Sequence, residues 1–229
     1  MLTVEHLHKE EKKLIGKLLP ANCHWFVAKE APRDFNLYPK EHQLTGKMAT
    51  KRLNEFRASR SCAKEVLNQL GITQFPLLSN EHRAPNWPAQ IVGSISHTNG
   101  RCIAVVCQAE NLRSIGIDVE LSEPLKSEIL SQIITPKEQK QLSETNSHLK
   151  YAKLIFSIKE SIFKCLHPIY LTWIGFKDLS VKLDFENASF SISPEEHFNS
   201  SLPLSELKGS WHISNAWIYT CCWLEPALD

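Results

Sequence analysis

The sequence predicts an α+β fold, and two observations carry that reading. Helices and strands alternate along the chain, but the strands connect through hairpins rather than through regular βαβ crossovers. The clearest hairpin is "IVGSISHT" (91–98) followed by "CIAVVCQ" (102–108), joined through Asn99-Gly100, a strong turn pair.

The elements follow in chain order. "MLTVEHLHKEEKKLIGKLLP" (1–20) has apolar positions at helical spacing and reads as an amphipathic helix. Its Glu and Lys residues leave no uninterrupted apolar segment, so it is not a signal peptide. In "ATKRLNEFRASRSCAKEVLNQLG" (49–71), Leu53, Phe56, Ala63, Val66, Leu67 and Leu70 recur at helical spacing, and Gly71 stops the helix. "NEHRAPNWP" (80–88) is a proline-bounded loop. "SIGIDVEL" (114–121) is a strand, ended by Pro124. "TPKEQKQLSE" (135–144) opens a helix, with Thr135 as cap, Pro136 at the first position and Glu138 three residues on. "FSIKESIFKC" (156–165) lies in another helix, expected to end at Pro168. "LSVKLDF" (179–185) and "ASFSIS" (188–193) form a hairpin around Glu186-Asn187. A loop over 193–206 leads to a terminal strand pair in "WHISNAWIYTCCWL" (211–224).

Composition excludes several function classes. The 229 residues are 42% hydrophobic and 22% charged, enough for a full core. With 26 basic and 25 acidic residues, the net charge of +1 disfavours an extended nucleic-acid footprint but permits a local basic pocket. No apolar run is long enough to span a membrane. The seven cysteines are odd in number and lack CxxC spacing, which predicts buried thiols in a reducing cytoplasm rather than disulfides or zinc. The ten histidines show no HExxH spacing.

Three carboxylates stand out. In "GIDVEL", Asp118 and Glu120 are two apart and share one face of a strand, while Ile115, Ile117, Val119 and Leu121 mark the other face as buried. Side-by-side carboxylates repel unless a cation separates them. The bland reading is a strand edge with solvated acids. Glu160, within "FSIKESIFKC", is a third acid. Its bland reading is an exposed helical ion pair with Lys164, four residues on. Together the three suit Mg²⁺, which takes hard oxygen ligands. Lys159, Lys164, His97, Arg52 and Arg60 are the corresponding phosphate partners. The two arginines lie eight apart on one predicted helix, a little over two turns, so both can face one ligand.

In order, "KRLNEFRASR", "RAPNWP", "GSISHT", "IGIDVE" and "FSIKESIFK" resemble the 4′-phosphopantetheinyl transferases of the surfactin-synthetase-activating type. "QIITPKEQKQL" adds a likeness to the enterobactin-synthetase component D branch. The resemblance runs from about residue 45 to 178, with a weaker trace beyond. It implies a pseudo-dimer of two similar α/β halves with coenzyme A between them, divided here as 1–120 and 121–229. It implies Asp118, Glu120 and Glu160 as Mg²⁺ ligands, with Glu160 as general base. Lys164 and Lys159 then serve the coenzyme A phosphates and catalysis. His97, with Ser96 beside it, and the pair Arg52 and Arg60 serve the 3′-phosphate. Two departures from the family pattern are Ser79, near where many relatives carry Lys, and Ser59, where they carry Gly; Arg83, another cation or none completes the pocket in place of the first.

The implied reaction moves the 4′-phosphopantetheine arm from coenzyme A to a serine of an apo acyl, aryl or peptidyl carrier protein, in siderophore or other nonribosomal peptide synthesis. The enzyme is expected to be a cytoplasmic monomer of the holo-acyl-carrier-protein synthase type. Two alternatives are a Mg²⁺-dependent nuclease, which would need a basic groove, and an inactive carrier-binding module, which would not need all three acids.

Overall fold

A computed structural model describes residues 9–145, 147–199 and 201–227. The first part of the chain holds α1 (Lys9–Leu18), β1 (His24–Ala28), the short α2 (Pro39–His42), α3 (Thr50–Gln69), β2 (Ile91–Thr98) and β3 (Arg101–Gln108). The second holds β4 (Ser114–Leu121), α4 (Ser127–Ile133), α5 (Pro136–Ser143), α6 (His148–Tyr170), β5 (Leu179–Asp184), β6 (Ser189–Pro194), β7 (Lys208–Ile213) and β8 (Trp217–Leu224). A 3₁₀ turn, Leu204–Glu206, interrupts the expected 193–206 loop. The amphipathic helix expected over 1–20 is seen from Lys9 on, and residues 1–8 lie outside the described residues.

Two antiparallel sheets result, ordered β1-β3-β2 and β4-β8-β7-β6-β5. In each, an opening strand leads to a long helix and then to antiparallel strands, the last of which pairs back to the first: β1 with β3, β4 with β8. The two halves thus share the strand order first–last–second that a pseudo-dimer requires, with two further strands inserted in the second sheet. The expected division after residue 120 needs correction, because it would cut β4 near its end. This strand bonds to β8 along its length, from Ser114↔Leu224 to Leu121↔Trp217, and so belongs with the second sheet.

The hairpins form where expected. Gly100 takes the positive φ (85°) that the β2–β3 turn needs. In the β5–β6 turn, Asp184 accepts from the backbone N–H groups of Glu186 and Asn187, both at 3.1 Å. The Thr135 cap also holds: its Oγ1 accepts from Glu138 N, and Glu138 Oε2 accepts from Thr135 N. Pro168 does not end α6. The helix runs two residues further and stops at Leu171, in left-handed conformation (φ 52°). Proline here removes one backbone donor and crowds the preceding turn, but only two more helical residues follow it, so little helix is at stake.

Apolar residues of α6, including Ile155, Ile158, Ile162 and Leu166, pack on the second sheet. Ile15 and Leu18 of α1 close a second core against Ile103, Val105, Ile117 and Tyr219 from both sheets. Cys62, Val66 and Leu67 of α3 cover the first sheet. All seven cysteines are free; six are buried and Cys23 is half-buried. Among the described residues no helix is long and apolar enough to cross a membrane.

Candidate active-site cleft

The site forms where β2, an edge of the first sheet, lies beside β4, an edge of the second. β4 uses one edge for β8. On the other, Ile117 N donates to Ser94 Oγ (3.1 Å) and Val119 N to Ser96 Oγ (3.2 Å). Ser94 and Ser96 alternate along β2 and face the same way. Their hydroxyls satisfy buried backbone donors that have no strand partner.

Helix α6 crosses the same strand at Gly116. A Cβ there would lie 2.6 Å from the Cys165 backbone nitrogen and closer still to the Ser161 carbonyl oxygen. Only glycine lets the helix approach this far, which is the physical reason for glycine in "GIDVE". The approach brings a polar stripe of α6, residues 153, 157, 160 and 164, onto the two strand acids. These positions are separated by four, three and four residues and so share a helix face.

Asp118 is 3% exposed, so the strand-edge reading does not hold. Its Oδ1 accepts from Lys164 Nζ (2.6 Å) and Ser96 Oγ (2.7 Å), and its Oδ2 accepts from Ser157 Oγ (2.7 Å). Lys164 Nζ also donates to Ser96 Oγ at 3.0 Å. Glu120 pairs with Lys153, Oε2 to Nζ 2.6 Å. Burial raises the Glu120 carboxyl above its ordinary range and the Asp118 charge adds to this, while Lys153 opposes it. Glu160 is half-buried. Its carboxyl too is raised, first by burial and then by the Asp118 and Glu120 charges, with Lys164 opposing.

A hard divalent cation fits this donor set by its chemistry. Three carboxylates face one another electrostatically, and two already carry a cation in the form of a lysine ammonium. The third, Glu160, has no hydrogen bond or ion pair among the described residues. In the present arrangement no three acidic, histidine or cysteine side chains among those residues converge as ligands of one ion. Asp118 and Glu120 are taken up by Lys164 and Lys153 instead.

On the first-sheet side, His97 Nε2 lies 3.0 Å from Arg52 Nη1 and 3.2 Å from Glu55 Oε2. Burial lowers the His97 pKa; Glu55 opposes, and the Arg52 and Lys164 cations lower it further. Nε2 accepts from Arg52 in one protonation form of the ring and donates to Glu55 in the other. The Arg52 side chain is 55% exposed, which leaves guanidinium N–H groups open to a ligand. A groove of about 250 Å³ beside His97 is lined by Lys29, Lys51, Glu55, Thr98 and Arg101 among others. On the Glu160 side, a cavity of about 140 Å³ is lined by Phe163, Trp173, Ile174 and Phe176.

Asp118, Lys164 and Ser96 thus form one hydrogen-bonded cluster, with Glu120 and Glu160 in its electrostatic field and the Arg52–His97 pair within reach of the Lys164 charge. Two expected members do not join this arrangement. Arg60 is 7% exposed and turned inward, over the Phe56 ring at 4.1 Å with Glu41 at 3.8 Å. Burial lowers its pKa to about 10, against the pull of Glu41. Lys159 lines the cavity on the Glu160 side, but its ammonium turns away from the three acids. Its Nζ donates to Glu138 Oε2 (2.8 Å) and to the carbonyls of Ile133 (2.9 Å) and Phe176 (2.5 Å), so all three ammonium protons have partners. Helical geometry is the reason: Lys159 is adjacent to Glu160 and five residues before Lys164, which rotates it off their face. Of the departures, Ser59 returns its hydroxyl to Glu55 O (2.8 Å) within α3, and Ser79 forms an isolated bridge with Pro85. Arg83 is exposed on the 80–84 turn, and its side chain makes no hydrogen bond or ion pair to the cleft residues.

Lys153 and Ser157 escaped the sequence reading. The signal was there: extending the Glu160–Lys164 spacing backwards along the same helix face reaches both.

Residues 40–107 match the family model of the 4′-phosphopantetheinyl transferase N-terminal domain, and residues 114–222 match that of the 4′-phosphopantetheinyl transferase superfamily. The chain is 30% identical over 217 residues to 4′-phosphopantetheinyl transferase Npt of Nocardia iowensis, covering 90% of this chain and 98% of that one. It is 29% identical over 218 residues to 4′-phosphopantetheinyl transferase PptT of Mycobacterium tuberculosis, covering 90% and 96%. Enterobactin synthase component D of Escherichia coli O157:H7 is 38% identical over 134 residues, 57% of this chain and 62% of that relative.

Proposed function

Because the chain belongs to the 4′-phosphopantetheinyl transferase superfamily, we propose that the β2–β4–α6 cleft is where it transfers the 4′-phosphopantetheine arm of coenzyme A to a carrier-protein serine. The observation that carries this is the Asp118–Lys164–Ser96 cluster, with Glu160 and the Arg52–His97 pair both within electrostatic reach of Lys164. Asp118, Glu120 and Glu160 would hold Mg²⁺, which when bound neutralises pyrophosphate charge.

The chain's own groups divide the remaining work. The serine oxygen attacks the pantetheine-linked phosphorus, the bond to the bridging oxygen breaks, and adenosine 3′,5′-bisphosphate leaves. Glu160 takes the serine proton; its raised affinity for a proton suits a base. Lys164 offers a compact ammonium to the charge that develops on the leaving phosphate. Arg52 and His97 hold the 3′-phosphate beside the lysine-lined groove. The apolar cavity beside Glu160 suits the uncharged part of the arm. Lys159 drops out of the catalytic set and Arg60 from direct contact with phosphate.

The likeness to enterobactin synthase component D supports carrier proteins of siderophore or other nonribosomal peptide synthesis as acceptors. The free thiols favour a reducing compartment. One chain supplies every proposed site residue, so a monomer suffices.

The test is incubation with coenzyme A, Mg²⁺ and a panel of apo carrier proteins, read as the mass gained by the carrier. Lys164→Ala is expected to cut kcat/KM at least ~100-fold, about 2.7 kcal/mol of transition-state stabilisation. Lys164→Arg recovers only part, since a planar fork does not replace an ammonium. An unchanged rate in folded Lys164→Ala protein removes Lys164 from catalysis. Separately, Arg52→Ala should weaken coenzyme A by about 1.5–3 kcal/mol, the worth of a hydrogen bond to a charged group. The affinity for 3′-dephospho-coenzyme A should barely move. Equal losses in calorimetric titrations of the two ligands would assign Arg52 another role.

A further inference from the structure

We propose that Lys153 is a tethered counter-cation of Glu120 which a divalent metal ion must displace, so that this lysine tunes the metal affinity of the carboxylate cluster. The inference rests on the reading of Asp118, Glu120 and Glu160 as metal ligands.

Lys153 Nζ sits 2.6 Å from Glu120 Oε2, and the two side chains are only 17% and 20% exposed. Glu120 has no other hydrogen bond or ion pair among the described residues, so Lys153 is its paired cation, and Lys164 acts on it only from further away. Asp118 differs: Ser96 and Ser157 hold it in place whether or not Lys164 stays. A metal ion arriving at the cluster therefore finds Glu160 unpaired, Asp118 oriented by two serines but paired with Lys164, and at Glu120 an ammonium with no serine beside it. Lys153 has somewhere to go. Its Nζ already lies 4.7 Å from the centroid of the Phe156 ring, three residues along α6. An ammonium over an aromatic face is held by the ring quadrupole. Displacement is therefore a short swing from carboxylate to ring.

Charge at the cluster follows the same logic. Three carboxylates against Lys153 and Lys164 leave one negative charge uncompensated. A divalent ion turns that deficit into a single positive charge, which a pyrophosphate then meets. Without Lys153 the cluster is more negative and attracts metal more strongly, but the protein lacking metal holds unpaired acids together.

The experiment measures metal binding to the whole protein without coenzyme A, by calorimetry with Mg²⁺ and by electron paramagnetic resonance with Mn²⁺. The proteins are the unaltered chain, Lys153→Met and Lys153→Arg. Methionine keeps the stem packed on Phe156 and removes the charge. Lys153→Met should bind either metal about tenfold more tightly, and Lys153→Arg more weakly, because a guanidinium grips a carboxylate in two places. Thermal melts give an independent readout: Lys153→Met should melt lower than the unaltered chain without metal and gain more from added Mg²⁺. Metal binding that is unchanged or weakened in Lys153→Met overturns the role of Lys153 and leaves the metal site standing. Failure of the unaltered chain and of Lys153→Met to bind metal overturns both.

Discussion

An Asp118→Asn variant should remain folded and lose roughly three orders of magnitude in kcat/KM, about 4 kcal/mol of transition-state stabilisation. Asparagine preserves the shape of the side chain and an oxygen facing Lys164 and Ser96. Opposite Ser157 it presents an N–H₂ group, and Ser157 adapts by donating to Thr220 Oγ1, 3.0 Å away. Packing therefore survives while the charge that the cleft is built around is gone. Lys164 loses its ion-pair partner, and the proposed metal site loses an acid whose position three donors define. Repulsion among three bare acids would predict that removing one stabilises the protein. The structure reverses that for Asp118, since its two oxygens accept from a lysine and two serines, and Asp118→Ala should cost stability. Transfer to an apo carrier protein and thermal melts on the same preparations decide the matter. Turnover of Asp118→Asn within tenfold of the unaltered protein, at saturating coenzyme A and Mg²⁺, would sink the assignment.

The second large effect falls on stability rather than catalysis. Lys159→Ala should destabilise the fold by about 3–5 kcal/mol, the cost of leaving one member of a buried ion pair alone. For a chain of this length that is a fall in Tm of roughly 6–20 °C. Glu138, 1% exposed, caps α5 at Thr135 N and accepts from Val181 N of β5 at 2.8 Å, as well as from Lys159. The pair thus ties α5, α6, β5 and the segment carrying Phe176 together. Burial lowers the Lys159 pKa while Glu138 opposes the shift, as for a paired ammonium inside a core. The double variant Lys159→Met/Glu138→Gln should recover much of the loss, because neither buried charge is then left unpaired. Melts and transfer rates separate the possibilities. A Lys159→Ala protein that melts normally but transfers nothing would return Lys159 to the cleft.

These expectations show where sequence reading succeeds. "GIDVE" and "KESIFK" carried the acids and Lys164 openly, because motif spacing maps directly onto strand and helix faces. The strand β1 and the helices α2 and α4 were not read, being short segments whose apolar positions fit no period over enough residues. The same shortness hid Glu41, which α2 delivers to Arg60 and to Leu77 N (2.9 Å).

By itself, the sequence determined the α+β class, the main hairpins, the long helices and the family, since these depend on periodicity, turn chemistry and ordered motifs. Which charges share the cleft was a tertiary decision. Lys159 and Lys164 look equivalent in "FSIKESIFKC", yet one ammonium is sealed against Glu138 and the other lies on Asp118. Arg52 and Arg60 look like a pair, yet one is half-exposed at His97 and the other is buried against Phe56 and Glu41. A charged side chain settles where its opposite charge and donors remove the cost of leaving water. Those partners come from β2, β4, α2 and α5, distant in the chain, and packing alone brings them together.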